Sequence, residues 1–323
     1  MLFSFSASAL EKKTFCVWDP VGRTGPVMSF YSDLIPKAQS WGLSINFVPY
    51  TDEKVAANEF KAGKCDAVLL SAIMSRQFVK FGGTMDAVGS VQSEQGLELL
   101  LATLARPRAG ALMTQGPFEV VATFTVGSMF AFVRDRNVDS IEDFAGKRMS
   151  ILNNDPQALM FAELAGATPV GTTLSTFGAM FNNGNLDILL MPALAYNTFE
   201  LYQGLGDNGG IINYPLYYGL LHTVSRKANF PKDFGHKMRN YMLTRLDAMN
   251  KAVADAETEI PSKYWINVSQ FTKDEIDRFS KRVRVALKDK NINHSSALKL
   301  LWKIRCRLDR TRAECSPQDV EAR

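Results

Sequence analysis

Polar and aromatic side chains collect where the short apolar runs of this chain end, and their types suit binding rather than bond-making. After Thr14-Phe-Cys-Val-Trp-Asp19 stand Asp19, Arg23 and Thr24. After Ser44-Ile-Asn-Phe-Val-Pro49 stands Tyr50, and after Cys65-Asp-Ala-Val-Leu-Leu70 stand Ser71 and Ala72, with Arg76 one helical turn on. In the second half, Arg148–Leu152 leads into Asn153, Asn154 and Asp155 with Gln157 just beyond. Leu186–Met191 leads into Pro192 and Tyr196, while Tyr217 and Tyr218 sit on a further strand-like run. If the runs are parallel strands, these residues share the crevice beyond the strand C-termini, where open α/β sheets hold ligands. Helix N-termini behind the same loops add free N–H groups that favour acceptor atoms. Each position also has a plainer use. Asp19 and Arg23 suit a loop ion pair equally well, Asp155 before Pro156 suits a helix cap better than a ligand contact, and the tyrosines suit core as well as stacking walls.

Catalytic patterns are missing. The sequence holds no GxGxxG after a strand, no Walker loop, no HExxH and no GxSxG. Gly22-Arg-Thr-Gly25 is a two-glycine turn without the Walker lysine. His222, His236 and His294 lie far apart on different elements and read as structural histidines. Four cysteines without CxxC spacing, beside only three histidines, argue against zinc. The expectation is a protein without catalytic residues, metal or cofactor.

The elements that must position these residues repeat a theme. A strand ending near Asp19, a helix over Val27–Trp41, a strand over Ser44–Pro49, a helix from an Asp52 cap to Gly63, and a strand from Cys65 give β-α-β-α-β. The same order returns with Arg148–Leu152, a helix from Pro156 to Leu164, Thr168–Gly171, a helix over Leu174–Phe181, and Leu186–Met191. Right-handed crossovers make each unit a parallel sheet covered by helices. Two long apolar segments, Phe118–Val133 and Gly210–Ser225, read as strands that cross between the units. From Lys232 the pattern is helical: Phe234–Asp255, Lys273–Leu287 and Ser295–Arg312.

Composition bounds the partners. A chain of 323 residues with 46% hydrophobic and 22% charged residues is long enough for two domains and is ordinary globular material. Its net charge of +4 is too small for nucleic-acid binding by the whole molecule. From Ser262 onward the net charge is +7, against −3 for residues 1–261. That basic end reads first as a solvated helix face and second as a surface for anionic lipid or a partner. The longest strongly apolar uncharged run, Val120–Val133, is fourteen residues, short of the roughly 20 a membrane span needs. Ala7-Ser8-Ala9 after a short apolar stretch fits a signal-peptidase site, so residues 1–9 read as a truncated signal peptide and the chain as exported. Cys16, Cys65, Cys306 and Cys315 permit three pairings or buried free thiols. The signal-like start favours two disulfides, with Cys16 and Cys65 as potential sheet neighbours and Cys306 and Cys315 enclosing a short loop.

Ser140-Ile-Glu-Asp-Phe-Ala-Gly-Lys-Arg-Met-Ser150, then Glu163-Leu-Ala-Gly-Ala-Thr-Pro169, then Phe181-Asn-Asn-Gly-Asn-Leu-Asp187 resemble the second half of the TRAP-type solute-binding proteins, where corresponding segments follow in this order. Ala62-Gly63-Lys64-Cys65-Asp66 resembles the equivalent turn of the first half, and the likeness runs from about Phe15 to Asn250. The opening Phe15-Cys-Val-Trp-Asp-Pro-Val-Gly-Arg-Thr-Gly-Pro26 is similar to the AdeT-type solute-binding proteins, a group labelled as efflux-associated in aminoglycoside resistance. The resemblance implies an α/β, two-lobe periplasmic-binding-protein-like fold, each lobe a mainly parallel sheet flanked by helices, with a C-terminal helical belt. It implies lobe I over 10–122 with returning segments from 226–261, lobe II over 123–225, and a basic helical region over 262–323. The function implied is a periplasmic, monomeric receptor that captures a small polar solute and passes it to a membrane transporter. Alternatives are service to a sensor or efflux partner, a two-lobe enzyme, and a purely structural protein.

One departure bears on the ligand. TRAP receptors usually place a carboxylate-clamping arginine where this chain has Ser150. Arg148 faces the same side of the strand but about 6.6 Å further back. Asn153, Asn154 and Gln157 both donate and accept, so they suit a neutral or hydroxyl-rich solute.

Overall fold

A computed structural model describes residues 9–152 and 155–322. The signal-like residues 1–8 and the candidate ligand residues Asn153 and Asn154 lie outside the described residues. Three apolar runs of the first unit form β1 (Glu11–Trp18), β2 (Leu43–Tyr50) and β3 (Ala67–Ser71), all parallel, with β1 between the other two. A two-residue β4 (Thr114–Gln115) precedes β5 (Phe118–Val133). The second unit forms β6 (Arg148–Leu152), β7 (Thr168–Thr172) and β8 (Ile188–Pro192), again parallel, with β6 central. After these come β9 (Gly210–Ile212), β10 (Tyr217–Arg226) and β11 (Trp265–Ile266).

The two triplets are not separate sheets. β10 runs antiparallel between β3 and β5, and the far half of β5 runs antiparallel to β8. One curled sheet results, ordered β2-β1-β3-β10-β5-β8-β6-β7. β5 can do this because sixteen nearly continuous apolar residues let both its faces be buried at both ends. Midway, Gly127 adopts φ +101° and the register with β10 shifts between Gly219 and Leu220. Thr125 Oγ1 donates to the Gly219 carbonyl (3.1 Å) and accepts from the Gly127 N–H (2.9 Å), satisfying the backbone at this bend.

Both units close with the same device. The helix Glu53–Lys61 starts on Asp52, whose carboxylate accepts the Val55 N–H, and stops before Gly63 at φ +79°. Asp66 then exchanges bonds with the start of β1: its N–H donates to Thr14 O and its carboxylate accepts the Thr14 N–H, both at 2.8 Å. In the second unit the helix Phe177–Asn182 stops before Gly184 at φ +78°. Asp187 repeats the exchange with Arg148, again at 2.8 Å in both directions.

Several elements differ from their sequence reading for identifiable reasons. The helix expected over Val27–Trp41 is two, Pro26–Ser32 and Leu34–Gln39, because Pro36 has no N–H for the Ser32 carbonyl. The strand expected over Gly210–Ser225 splits around Pro215 into β9 and β10. Phe234–Asp255 breaks into Phe234–Leu243 and Leu246–Thr258, where the Thr244 hydroxyl donates back to Tyr241 O (2.6 Å).

Three buried apolar clusters hold the sheet. One gathers Phe15, Val68, Leu97 and Leu220 with Leu298 and Leu301 of the helix Ser295–Leu308. A second gathers Met149, Ile151 and Phe161 with Ile276, Phe279 and Val283 of the helix Gln270–Asp289. The third, around Phe132, Phe177, Phe181 and Leu189, joins the second unit to Ile260 and Tyr264. The C-terminal helices thus pack on both cores. Disulfides join Cys16 to Cys65 and Cys306 to Cys315. The basic end is also not simply a solvated face. Arg284 and Arg305 are buried and share Glu314 and Glu321 at 2.7–3.2 Å, while their remaining nitrogens reach Val88 O and Ser90 O.

Candidate functional site

A cleft of about 1120 Å³ opens at the strand C-termini. One wall carries Trp18 from the end of β1, Thr51 and Lys54 beyond β2, and Ile73 and Met74 beyond β3. Facing it are Thr172 at the end of β7, Thr173, Ser175 and Thr176 in the loop that follows, and Pro156 at the helix start after β6. The lining is thus a ring, apolar chains and charged groups on one side, and mainly hydroxyls on the other. Glu53, the first residue of its helix, sits on the lining with its carboxylate accepting the Ser71 N–H at 2.6 Å. Burial pushes that carboxyl up to about 7, further than the Ser71 contacts pull it down, so it titrates near neutrality. The Trp18 indole N–H is buried and has no hydrogen-bond partner among the described residues, a donor awaiting an acceptor.

The candidates from sequence are scattered. Asp19 is fully buried and pins its own loop, accepting the Val21 and Met28 N–H groups at 2.9 Å each. Its carboxylate fills the space a Cβ at Gly25 would need, 2.0 Å away, so this loop requires glycine there. Its neighbours Trp18 and Pro20 line the cleft instead. Arg23 and Thr24 are exposed on the following turn, and no Asp19–Arg23 ion pair exists among the described residues. Tyr50 is partly buried against the first core, its hydroxyl pushed up by burial and by Glu59. Ser71 caps the short helix that begins with buried Ala72, its Oγ accepting the Met74 N–H. Pro192 ends β8 opposite Met129, and Tyr196 is core, with its ring centroid 5.9 Å from Tyr202 and 6.1 Å from Tyr264. Tyr218 faces away, lining a separate cavity of about 250 Å³ with Gln92, Glu94 and Glu257.

The remaining candidates, Arg76, Asp155, Gln157 and Tyr217, come together next to the cleft. Met74, Gln77 and Pro156, which line it, flank Arg76, Asp155 and Gln157 in sequence. Asp155 caps its helix by accepting the Gln157 N–H (2.9 Å). Gln157 Oε1 accepts the Val88 N–H (2.9 Å) and its Nε2 donates to Asp86 O (3.2 Å), tying the second unit to the first. Tyr217 is buried facing Asp155, Asp86 and Arg76. Asp86, which sequence reading passed over, is buried 3.9 Å from Arg76 Nη2, and desolvation pushes its carboxyl up to about 7 although Arg76 pulls the other way. Burial and Arg76 push His222 down to about 3, so it is neutral, with Nδ1 against Ser75 Oγ at 2.9 Å. Only tertiary structure places Asp86, because the run Phe81–Ser90 is buried throughout without a strand or long helix to give it a period.

At the TRAP arginine position, Ser150 is buried and bonds Thr172 Oγ1 at 2.7 Å. Arg148 is held by Asp187 through Nε (2.9 Å) and Nη2 (2.7 Å), at the far end of β6. No guanidinium on β6 reaches the cleft.

The sequence profile described as "Solute-binding protein AdeT 1/2" matches residues 34–320. The chain belongs to the AdeT 1/2 solute-binding family. An Acinetobacter baumannii relative, "Probable solute-binding protein AdeT1", is 31% identical over 303 residues, covering 94% of this chain and 100% of that protein. "Probable solute-binding protein AdeT2" of the same organism is 23% identical over 233 residues, covering 72% of this chain and 98% of its own length. The fold is that of TRAP periplasmic solute-binding proteins. The Desulfovibrio salexigens protein with bound orotic acid superposes with TM-score 0.74 at 12% identity, covering 92% of this chain and 99% of that one. The Haemophilus influenzae protein with bound L-gulonate gives 0.71 at 14%, covering 91% and 99%. AdeT 1/2 relatives and structural neighbours alike are solute-binding proteins, not enzymes. Among the described residues of this AdeT 1/2 chain, no helix is long and apolar enough to cross a membrane.

Proposed function

We propose that this protein is a periplasmic receptor that closes two lobes around a small polar solute and passes it to a membrane transporter. The observation carrying this reading is the cleft itself, walled at the C-terminal ends of strands from both triplets by complementary rings, hydroxyls and cations. We divide the chain by its cores: lobe I takes 10–122, segments from 226–261 and the last long helix, and lobe II takes 123–225 with the helix Gln270–Asp289. Trp18, Thr51, Thr172 and Thr173 supply wall contacts in the cleft, and Arg76, Asp155, Gln157 and Tyr217 lie beside it. Solute contacts gain strength as closure removes water from these groups.

The test is a thermal-shift screen of small polar solutes, with native mass spectrometry of gently purified protein for a co-purifying molecule. A solute at 100 times its Kd adds about 2.7 kcal/mol to unfolding if only the folded state binds it. A chain that carries no solute and shows no shift with any is not a receptor. Periplasmic location is checked separately, by fractionating cells that express the chain from its genomic start.

A further inference from the structure

We propose that Arg76 and Asp86 form an inner subsite for a hydroxyl group of an uncharged, polyhydroxylated solute. The proposal rests on the receptor reading of the cleft and names the class of solute it takes.

Arg76 is held rigidly. Its Nε donates to Gly83 O at 2.7 Å, and its Cα and Cβ lie against Gly83, where an added Cβ would stand only 2.5 Å from both. Its side chain is 9% exposed and that of Asp86 4%. Despite this burial, Arg76 Nη1, Arg76 Nη2 and Asp86 Oδ1 have no hydrogen-bond partner among the described residues. Nη2 and Oδ1 stand 3.9 Å apart, close enough for charge attraction but too far for a hydrogen bond. Leaving a buried donor and a buried acceptor unmade is costly, and the pair is therefore built for something that completes it.

The chemistry of that group follows from donor and acceptor counting. With Asp86 ionised, it must accept from a guanidinium and donate to a carboxylate. A carboxylate ligand accepts but cannot donate, and an ammonium donates but cannot accept. A hydroxyl does both. Asp155 faces the same guanidinium, and His222 is uncharged with its Nε2 also unpartnered, so further polar groups stand around the pair for a hydroxylated solute to meet. Arg76 and Asp86 stand on the chain between β3 and β5, while Asp155 and Gln157 open the helix after β6, so parting the two units uncovers the pair and closing them buries the captured hydroxyl.

The test is isothermal titration of the full chain with neutral C3–C6 polyols and sugars, each paired with its matched onate and its matched amine. The expected result is at least one neutral probe that binds tenfold or more tighter than its charged partners. Arg76→Met and Asp86→Ala should each weaken that binding tenfold or more, with near-ultraviolet dichroism showing both variants folded. The wild-type preference stands as a test even where a variant does not fold. An onate or amine that binds as tightly as its neutral partner overturns the subsite and leaves the receptor intact. Neutral binding unchanged in both variants also overturns it, since the pair then holds only a buried water. Silence from every neutral probe overturns it as well; the receptor reading falls too only if the broader screen and mass spectrometry find no solute of any class.

Discussion

Glu53 is a carboxylate placed where ionisation is disfavoured. It is buried at the start of a helix, with the Ser71 side chain and N–H offsetting lost water only in part and the nearby charge of Asp52 working against it. Its proton is held more tightly in the folded chain than in the unfolded one. Stability from this group is therefore complete below the unfolded carboxyl range and is lost as pH rises from about 4 to 7, by at most about 1.4 kcal/mol per pH unit. Glu53→Gln should flatten the fall in melting temperature between pH 5 and 8, with a residual slope of the same sign from Asp86 and Asp155. An unchanged slope in the variant would mean that the carboxyl is ionised in the fold. At this scale the sequence was uneven. Asp52 and Asp155 were legible as caps, because an aspartate just before a helical run has one common use. Asp86 and Trp18 were not, because nothing local marks a polar atom that tertiary packing leaves unpartnered.

The elements read well wherever one stretch of chain settles its own conformation. Gly63 and Gly184, ending two helices at φ near +80°, and Asp66 and Asp187, each tying the third strand of its unit to the first, are the same solution used twice. The C-terminal segment read poorly, because its charges are cancelled by partners distant in sequence. Arg284 and Arg305 come from two helices and meet Glu314 and Glu321 from the final turns, next to the Cys306–Cys315 bond. Glu314 is held down to about 2: burial works against this, but Arg305 and Arg284 outweigh it. Removing one acid leaves guanidinium charge buried without its counterion. Glu321→Ala is expected to cost about 3–5 kcal/mol in urea denaturation. A loss below 1 kcal/mol would show that water enters and replaces the carboxylate.

For the whole molecule, one bend in β5 decides how the halves relate. Gly127 holds φ +101° there, and a Cβ would come within 2.8 Å of Val253 Cγ1. Gly63, at φ +79°, has open space around it. Gly63→Ala should therefore cost about 1 kcal/mol of backbone strain, and Gly127→Ala distinctly more, compared by the same denaturation measurement. Equal losses would remove the packing argument for the bend. By itself the sequence determined the alternation of strand and helix, the caps and stops, and the kinship with solute-binding proteins. These depend on period, turn chemistry and residue order, all of which are local. Only the tertiary structure decided that the two parallel triplets merge into one sheet, that Asp19 serves its loop, that the basic end is partly neutralised inside, and that Arg76 meets Asp86. Those outcomes depend on which distant side chains share a desolvated space, and a buried charge takes its meaning from its neighbours in that space.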